Sequence, residues 1–346
     1  MADRRIQDRG APALAALLEP LTLDEFLASD WRQRHTWCHG AVDRFSDLLS
    51  WPILNRLLEH HWRETYRFRL ARQGRDLDPA SYTDEGRFTK RIRAREVTEQ
   101  LRCGATLSFD AIDEVHAPLT RLAESFEAFF RGGTNINVYA GWRRCHGLDL
   151  HRDDQEVFIT QLDGRKRWLL YGFTIDDVDR TQWREHSTPP RGAAFDEILT
   201  PGDLLYIPRG CYHLAVPINE PTLHLTISVK TTSDLKPRPI FNLPWSATAE
   251  GLPPGRGFLV RLTAPASLHA QVDASGVVLQ HAGRSYRFPR RVIAIVDRLE
   301  DGRPLRFGGL IDSIADRVDD ETVRLLVALL VKHGLIALTP SDDDGA

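Results

Sequence analysis

The residues whose types and spacing suggest chemistry are His151 and Asp153, separated by Arg152, and His213, 60 positions after Asp153. Side chains two apart on a strand leave the same face, so His151 and Asp153 are expected to aim at one point. His213 follows the segment Gly202–Gly210, whose glycines permit tight turns around a buried run, Leu204–Ile207. Two imidazoles and one carboxylate on one face form the ligand set of non-haem Fe(II) oxygenases. Imidazole binds the metal firmly. A single carboxylate lowers the charge without closing the coordination sphere, which leaves room for a chelating cosubstrate and O2. An isolated His-x-Asp occurs by chance in many chains. The set gains weight from the strand pattern around it and from the glycine–proline–glycine–histidine segment that ends in His213.

The elements that must position these side chains are legible as periodicity. Apolar residues at spacings of three and four predict helices over 21–62, starting at Thr22, and over 107–131, stopping at Gly132-Gly133. Residues 87–102 read as a solvated helix, and 11–18 as an N-terminal helix rather than a signal peptide, because Asp3, Asp8 and Glu19 interrupt it. From 134 to 230 the texture changes to short β-type runs: Asn135–Tyr139, Glu156–Leu162, Arg167–Tyr171, Asp203–Ile207, His213–Val216 and Leu223–Val229. Turn signals such as Asp163-Gly164 and Pro201-Gly202 separate them, the pattern of a barrel or jelly roll. The proline-rich stretch 231–256 reads as a linker. Strand-like Gln271–Leu279 and Ser285–Phe288, then helical runs at 290–299, 308–317 and 320–334 and a strand at 335–338, fit a small winged-helix-like unit over 257–340.

The chain has 346 residues, 42% hydrophobic and 27% charged, with a formal charge of −3. These values describe a globular protein of about two domains and exclude a disordered or collagen-like chain. No apolar run approaches the ~20 residues of a membrane span, and a cytoplasmic location is expected. The near-neutral charge argues against nonspecific nucleic-acid binding. The four cysteines are scattered, so no disulfide framework is expected. Lysine occurs only at Lys90, Lys166, Lys230, Lys236 and Lys332, which makes Lys166, just after the Asp163-Gly164 turn, conspicuous. An ammonium at the end of a narrow pocket can pair with a carboxylate as a compact point charge.

Residues 20–230 resemble the cupin-type Jumonji C (JmjC) oxygenases, particularly the ribosomal oxygenase branch. The resemblance is densest at Asn137-Val138-Tyr139, at His151 through Phe158, at Gln161 through Trp168, at Gly202–His213 and at His224 through Ser228. It implies a mainly β fold, a double-stranded β-helix with N-terminal helices in a domain spanning 1–230, followed by a C-terminal α+β winged-helix-like domain. It implies Fe(II) bound by His151, Asp153 and His213, 2-oxoglutarate as cosubstrate with Lys166 at its distal carboxylate, and O2. Asn137 and Ser228 match polar positions near the cosubstrate, and Tyr139 shares the face of Asn137. Asp154 and Glu156 are candidates for orienting a ligand histidine or holding a cationic substrate side chain. Three features depart from the family: Arg152 replaces a tyrosine, the loop Trp142-Arg143-Arg144-Cys145-His146 replaces a more neutral one, and the helical dimerisation segment is shortened, although a homodimer stays compatible.

The expected activity is hydroxylation of a protein or peptide side chain, with histidine or arginine of a ribosomal protein first. Hydroxylation of a ribosomally made peptide natural product, N-methyl-lysine demethylation and a non-catalytic cupin binding protein are the alternatives. Nucleic-acid contact is expected only through a ribosomal target. The sparsely basic run 320–334 offers only Arg324, Lys332 and His333, so the C-terminal unit is read as mediating protein contacts. His35, Cys38 and His39 lack a fourth zinc ligand at suitable spacing and are read as structural, as are Cys145, Cys211 and His60-His61.

Overall fold

The computed structural model describes residues 2–61, 64–85, 90–130, 132–173, 191–230, 251–263, 268–281, 284–300 and 302–340. Contacts divide the chain into one unit of Gly10–Thr232 and a second of Ser233–Ala346 with Met1–Arg9. The expected 231–256 linker lies outside the described residues as far as 250. No helix among the described residues is long and apolar enough to cross a membrane.

The first unit is built on two main antiparallel sheets, with a further two-stranded one, Thr83–Glu85/Lys90–Ile92. The larger has eight strands in the order Thr36–Cys38, Leu204–Ile207, Glu156–Asp163, Thr222–Lys230, Gly133–Gly141, Thr106–Phe109, Phe68–Arg72 and Arg75–Asp76. The smaller places Lys166–Gly172 between Phe195–Leu199 and Tyr212–Pro217. Alternation along the central strand explains how the layers pack. In Glu156–Asp163, Val157 and Ile159 join Trp168, Leu170, Leu199, Leu205 and Ile207 in a core between the sheets. Phe158 points the other way, into a cluster with Phe26, Phe126, Ile136, Val138 and Tyr206 beneath the helices. A strand covered on both faces loses the polar–apolar alternation of a half-exposed one, which is why 156–161 is buried at every position. The result is the expected jelly roll with helices on its outer face.

Several expected helices are shorter than the periodicity indicated. The 21–62 region is two helices, Leu23–Ser29 and Trp51–His61, with the edge strand Thr36–Cys38 between them. Thr22 does cap the first: its hydroxyl accepts from the Glu25 amide, and the Glu25 carboxylate accepts from the Thr22 amide. Pairing of Thr36–Cys38 with Leu204–Tyr206 overrides helical propensity in the middle. The 107–131 helix begins only at Ala117, because Thr106–Phe109 is captured as a strand between Phe68–Arg72 and Gly133–Gly141. The solvated helix of 87–102 is Ala94–Arg102. Strand Phe195–Leu199 was not anticipated.

One turn aims the cavity's lysine. Gly164 has φ +61°, and a Cβ there would lie 1.8 Å from the Pro221 carbonyl oxygen. The buried Gln161 amide braces the turn, donating to the Asp163 carbonyl at 2.9 Å and the Thr222 hydroxyl at 2.8 Å. Gly164→Ala combines a left-handed backbone with a backbone clash, and is expected to destabilise the unit by more than about 2 kcal/mol. That corresponds to a thermal midpoint lowered by about 5 °C or more, read by calorimetry. An unchanged midpoint would contradict the rigid turn.

The second unit carries two three-stranded antiparallel sheets, Leu305–Arg306/Leu259–Leu262/Ile336–Thr339 and His269–Asp273/Gly276–His281/Arg284–Phe288. Its helices are Val292–Leu299, Phe307–Ser313 and Asp320–Lys332, close to the expected runs. The single strand expected over 271–279 is a hairpin, broken at Ala274-Ser275, with the Asp273 carboxylate accepting from the Ser275 amide. A separate core of residues such as Val260, Ile295, Phe307, Val327 and Ile336 holds this unit together.

Candidate active site

His151 and His213 are brought together by backbone. They form an isolated antiparallel bridge, with His151 N–H to His213 O at 3.2 Å and His213 N–H to His151 O at 2.8 Å. This corrects the reading of His151-x-Asp153 as a strand: the chain leaves the bridge at once, and Asp153 reaches the site from the following loop. That loop is latched to the other, with Gly210 N–H donating to the Asp153 carbonyl at 2.9 Å.

Both imidazoles have their orientation fixed from behind. The His151 Nδ1 lies 2.7 Å from the Asp149 carbonyl oxygen, and the His213 Nδ1 lies 3.0 Å from that of Cys211. A carbonyl only accepts, so each Nδ1 carries the proton and each Nε2 presents a lone pair. Those Nε2 atoms face the Asp153 carboxylate, at 3.9 Å from His151 and 3.6 Å from His213. All three ligand atoms lie within 4.8 Å of one another, the one such cluster among the described residues. Burial, with His151 adding and Asp153 opposing, pushes the His213 imidazole down to about 4. It is therefore neutral at pH 7, the form that ligates a cation.

The three residues open onto a cavity of about 530 Å³ between the sheets. Lys166, at the start of its strand, is 4% exposed and lines it. Among the described residues no carboxylate pairs with it. Burial alone brings its ammonium down to about 7. Its Nζ stands 5.8 Å from the centre of the Trp168 ring. Trp168 crosses His224 edge-on at 5.5 Å, and His224 stacks on Tyr139 at 5.2 Å. The Trp168 Nε1, the His224 Nδ1 and the Thr106 hydroxyl are buried in the cavity wall without hydrogen-bond partners among the described residues. Orphaned polar atoms are costly in a dry interior and point to a polar ligand that would satisfy them. His224 is held well below its usual range, by burial first and then by the Lys166 charge, so the stronger base keeps the proton.

Asn137, Tyr139 and Ser228 also line the cavity, on neighbouring strands of the large sheet: Tyr139 sits opposite His224, Asn137 opposite Thr226, and Ser228 opposite Asn135. The Asn137 Oδ1 accepts from the Ala111 amide at 2.9 Å, and its side chain also hydrogen-bonds the Tyr139 hydroxyl. Trp168 and His224 are wall residues that sequence reasoning did not single out. Both stood inside the quoted motifs, and nothing in composition marks a buried indole or imidazole as unpartnered.

Asp154 and Glu156 do not face the cavity as substrate holders. Asp154 accepts from the Arg209 guanidinium at 2.5 Å, and the buried Glu156 accepts from the Tyr206 hydroxyl at 2.6 Å and the Arg209 amide at 3.1 Å. They fasten the two ligand-bearing loops together. Cys211 serves through its carbonyl, its thiol lying in the core between the sheets. His39 pairs with Asp203 at 3.1 Å, His35 packs against Phe195, and burial pushes the Cys38 thiol up to about 11.

Residues 113–236 match the family model described as the JmjC domain. The chain is 31% identical over 236 residues to the bifunctional lysine-specific demethylase and histidyl-hydroxylase NO66 of Drosophila grimshawi, covering 64% of this chain and 31% of that protein. It is 40% identical over 143 residues to ribosomal oxygenase 2 of Rattus norvegicus, covering 40% of this chain and 29% of the relative. The chain thus spans about a third of the length of these curated relatives. Among solved structures it is similar to the Escherichia coli ribosomal oxygenase YcfD, with a TM-score of 0.56 at 18% identity over 92% of this chain and 98% of that one. A YcfD complex with cobalt and 2-oxoglutarate matches with a TM-score of 0.55 at 17% identity, over the same shares of both chains. At these identities the likeness shows the fold.

Proposed function

We propose that this chain, which carries a JmjC domain, is an Fe(II)- and 2-oxoglutarate-dependent oxygenase that hydroxylates a side chain of a polypeptide. The observation that carries this reading is the coincidence, in one cavity, of a two-histidine, one-carboxylate cluster with both Nε2 lone pairs turned inward and a buried ammonium that has no carboxylate partner among the described residues. The donor set fits Fe(II), and the ammonium and unsatisfied wall atoms fit a dicarboxylate. His151, Asp153 and His213 would hold the metal, and Lys166 the far carboxylate of 2-oxoglutarate, in a cavity that Asn137, Tyr139 and Ser228 also line. When bound, the metal, cosubstrate and O2 together supply the oxidation of an unactivated C–H bond.

The protein's own contributions are position and dryness. The backbone bridge between His151 and His213 fixes two ligands relative to each other before anything binds. Val157, Ile159, Trp168 and Ala215 line the cavity with apolar surface that limits water. The names of the relatives, histidyl-hydroxylase and ribosomal oxygenase, support a polypeptide substrate, with a histidine or arginine of a ribosomal protein first in order. Incubation with Fe(II), 2-oxoglutarate, O2 and a peptide library, read by mass spectrometry, should show peptides that gain one oxygen atom. Loss of a methyl group from methyl-lysine peptides alone would overturn hydroxylation in favour of demethylation.

Lys166 also sets a pH dependence. It binds an anion only as ammonium, and its free form titrates near 7 instead of the ordinary 10.5. Affinity for 2-oxoglutarate is expected to fall up to about tenfold per pH unit above ~7, with proton uptake on binding. Calorimetry in buffers of different ionisation enthalpy reads that uptake. Stability of the free protein has the opposite sign. Between pH 7 and 10.5 the unfolded chain keeps this proton and the native state sheds it. The Lys166 contribution therefore rises by up to about 1.4 kcal/mol per pH unit across that window. Lys166→Met should remove this rise, and an unchanged profile in the variant would contradict the assignment.

A further inference from the structure

The loop Trp142–His146 is the sequence departure that the oxygenase reading leaves unused, and the structure places it at the rim of the cavity. Gly147, Leu148 and Asp149, just after it, form part of the cavity wall, as does Gly74. The turn at Gln73-Gly74 is stitched to this loop: Gln73 N–H donates to the His146 carbonyl at 2.8 Å and Gly74 N–H to the Gly147 carbonyl at 3.0 Å. The Arg102–Gly104 corner closes the group, with a Cβ on Gly104 falling 3.3 Å from the Arg143 Cβ.

Five arginines, Arg72, Arg75, Arg102, Arg143 and Arg144, lie on the segments that form or border this rim, and Arg69 lines the cavity itself. Their charges are scarcely compensated. Arg72 donates to the Cys103 carbonyl at 3.4 Å and Arg143 to the Arg102 carbonyl at 3.2 Å, dipoles rather than anions. Among the described residues, Arg72, Arg75, Arg143 and Arg144 form no ion pair. Arg102 has only Glu99, at 3.9 Å, in an exposed pair worth little. Of the nearby acids, Asp76 pairs with Arg69 at 3.7 Å, and Asp149 is hydrogen-bonded to the His146 ring at 3.0 Å, so the arginines outnumber the acids at this rim. The chain as a whole is slightly acidic, at −3, so the basic rim is a local feature.

We propose that this arginine rim docks a polypeptide whose modified side chain is flanked by acidic residues. The proposal rests on the polypeptide-hydroxylase reading and narrows it. The cavity takes one side chain, and the chain on either side of that residue must lie across the rim. Guanidinium forks recognise carboxylates in pairs, and uncompensated charge at a cleft mouth steers anionic partners and repels basic ones. A strongly basic ribosomal-protein segment would meet repulsion here.

The test uses the full chain loaded with Mn(II) and 2-oxoglutarate, and three labelled probes: a twelve-residue peptide with a central histidine and Asp/Glu flanks, its Lys-flanked counterpart, and oligo(U) RNA of twelve nucleotides. Fluorescence anisotropy should show the acidic peptide bound most tightly, weakening with salt. The double variant Arg143→Glu/Arg144→Glu should lose at least about tenfold of that affinity. Tighter binding of RNA or of the basic peptide, binding of none of the probes, or an acidic preference that survives the charge reversal would overturn the proposal. Metal and 2-oxoglutarate affinities are measured on the same samples. If those are intact, failure of the rim leaves the oxygenase reading standing; if wild type lacks them, the oxygenase reading fails with it.

Discussion

Replacing Lys166 with methionine is expected to make the protein more resistant to heat while abolishing its affinity for 2-oxoglutarate. The two effects have one cause. The ammonium is buried without a carboxylate partner among the described residues, and burial alone brings it from 10.5 to about 7. At about 1.4 kcal/mol per pH unit between 7 and 10.5, burying this group destabilises the native state at pH 7 by on the order of 5 kcal/mol. Methionine is of similar length and carries no charge, so it fills the same space at the start of the strand and removes that cost. The same charge is what a carboxylate would pair with. Deleting one partner of a buried charge-assisted contact costs about 2–5 kcal/mol, so affinity should fall by at least about 100-fold. Scanning calorimetry and titration calorimetry on one preparation check both signs. A variant that is less stable, or that still binds the cosubstrate like wild type, would contradict the role assigned to Lys166.

His213→Ala is the second substitution with a large expected effect. It removes one of two inward-facing Nε2 donors but leaves the backbone bridge to His151, which uses main-chain groups only. The fold should therefore survive while the metal is lost. Removing an outer hydrogen-bond partner of a ligand typically lowers metal affinity 10- to 100-fold, and loss of a ligand itself should exceed the upper figure. Co(II) titration followed by its visible spectrum reads this directly. Cys211→Ala is the matched comparison. Cys211 orients His213 through its carbonyl, so its truncation should leave metal affinity within about threefold, allowing for a small packing change. Equal losses in both variants would mean that packing, not ligation, governs the site.

Much of this arrangement was readable before the structure. The six strands expected between Asn135 and Val229 appear within about two residues of their expected limits, because short β runs bounded by Asp-Gly, Pro-Gly and Pro-Arg-Gly turns leave little freedom in where a strand ends. His151, Asp153, His213 and Lys166 share one cavity, although His151 and Asp153 reach it from a bridge and a loop instead of the expected strand. What failed was long-range pairing. Thr36–Cys38 and Thr106–Phe109 become strands only because distant segments hydrogen-bond to them, and helical spacing cannot report that. The bridge geometry of His151 was missed for the same reason, since its partner is His213, far along the chain. Asp154 and Glu156 read as ligand-orienting or substrate-holding groups because sequence does not show that Arg209 and Tyr206 reach back to them. Trp168 and His224 stayed invisible as wall residues because a lack of hydrogen-bond partners exists only in three dimensions.

The most direct test of the central claim is anaerobic binding of Fe(II) and 2-oxoglutarate, followed by succinate release on admitting air, for wild type beside His151→Ala and Lys166→Ala. No substrate needs to be known. Wild type should bind both and release succinate. His151→Ala should lose the metal, Lys166→Ala should keep the metal but lose 2-oxoglutarate, and neither should release succinate. Failure of wild type to bind metal or 2-oxoglutarate, or succinate release that persists in both variants, would contradict an oxygenase site built from these residues.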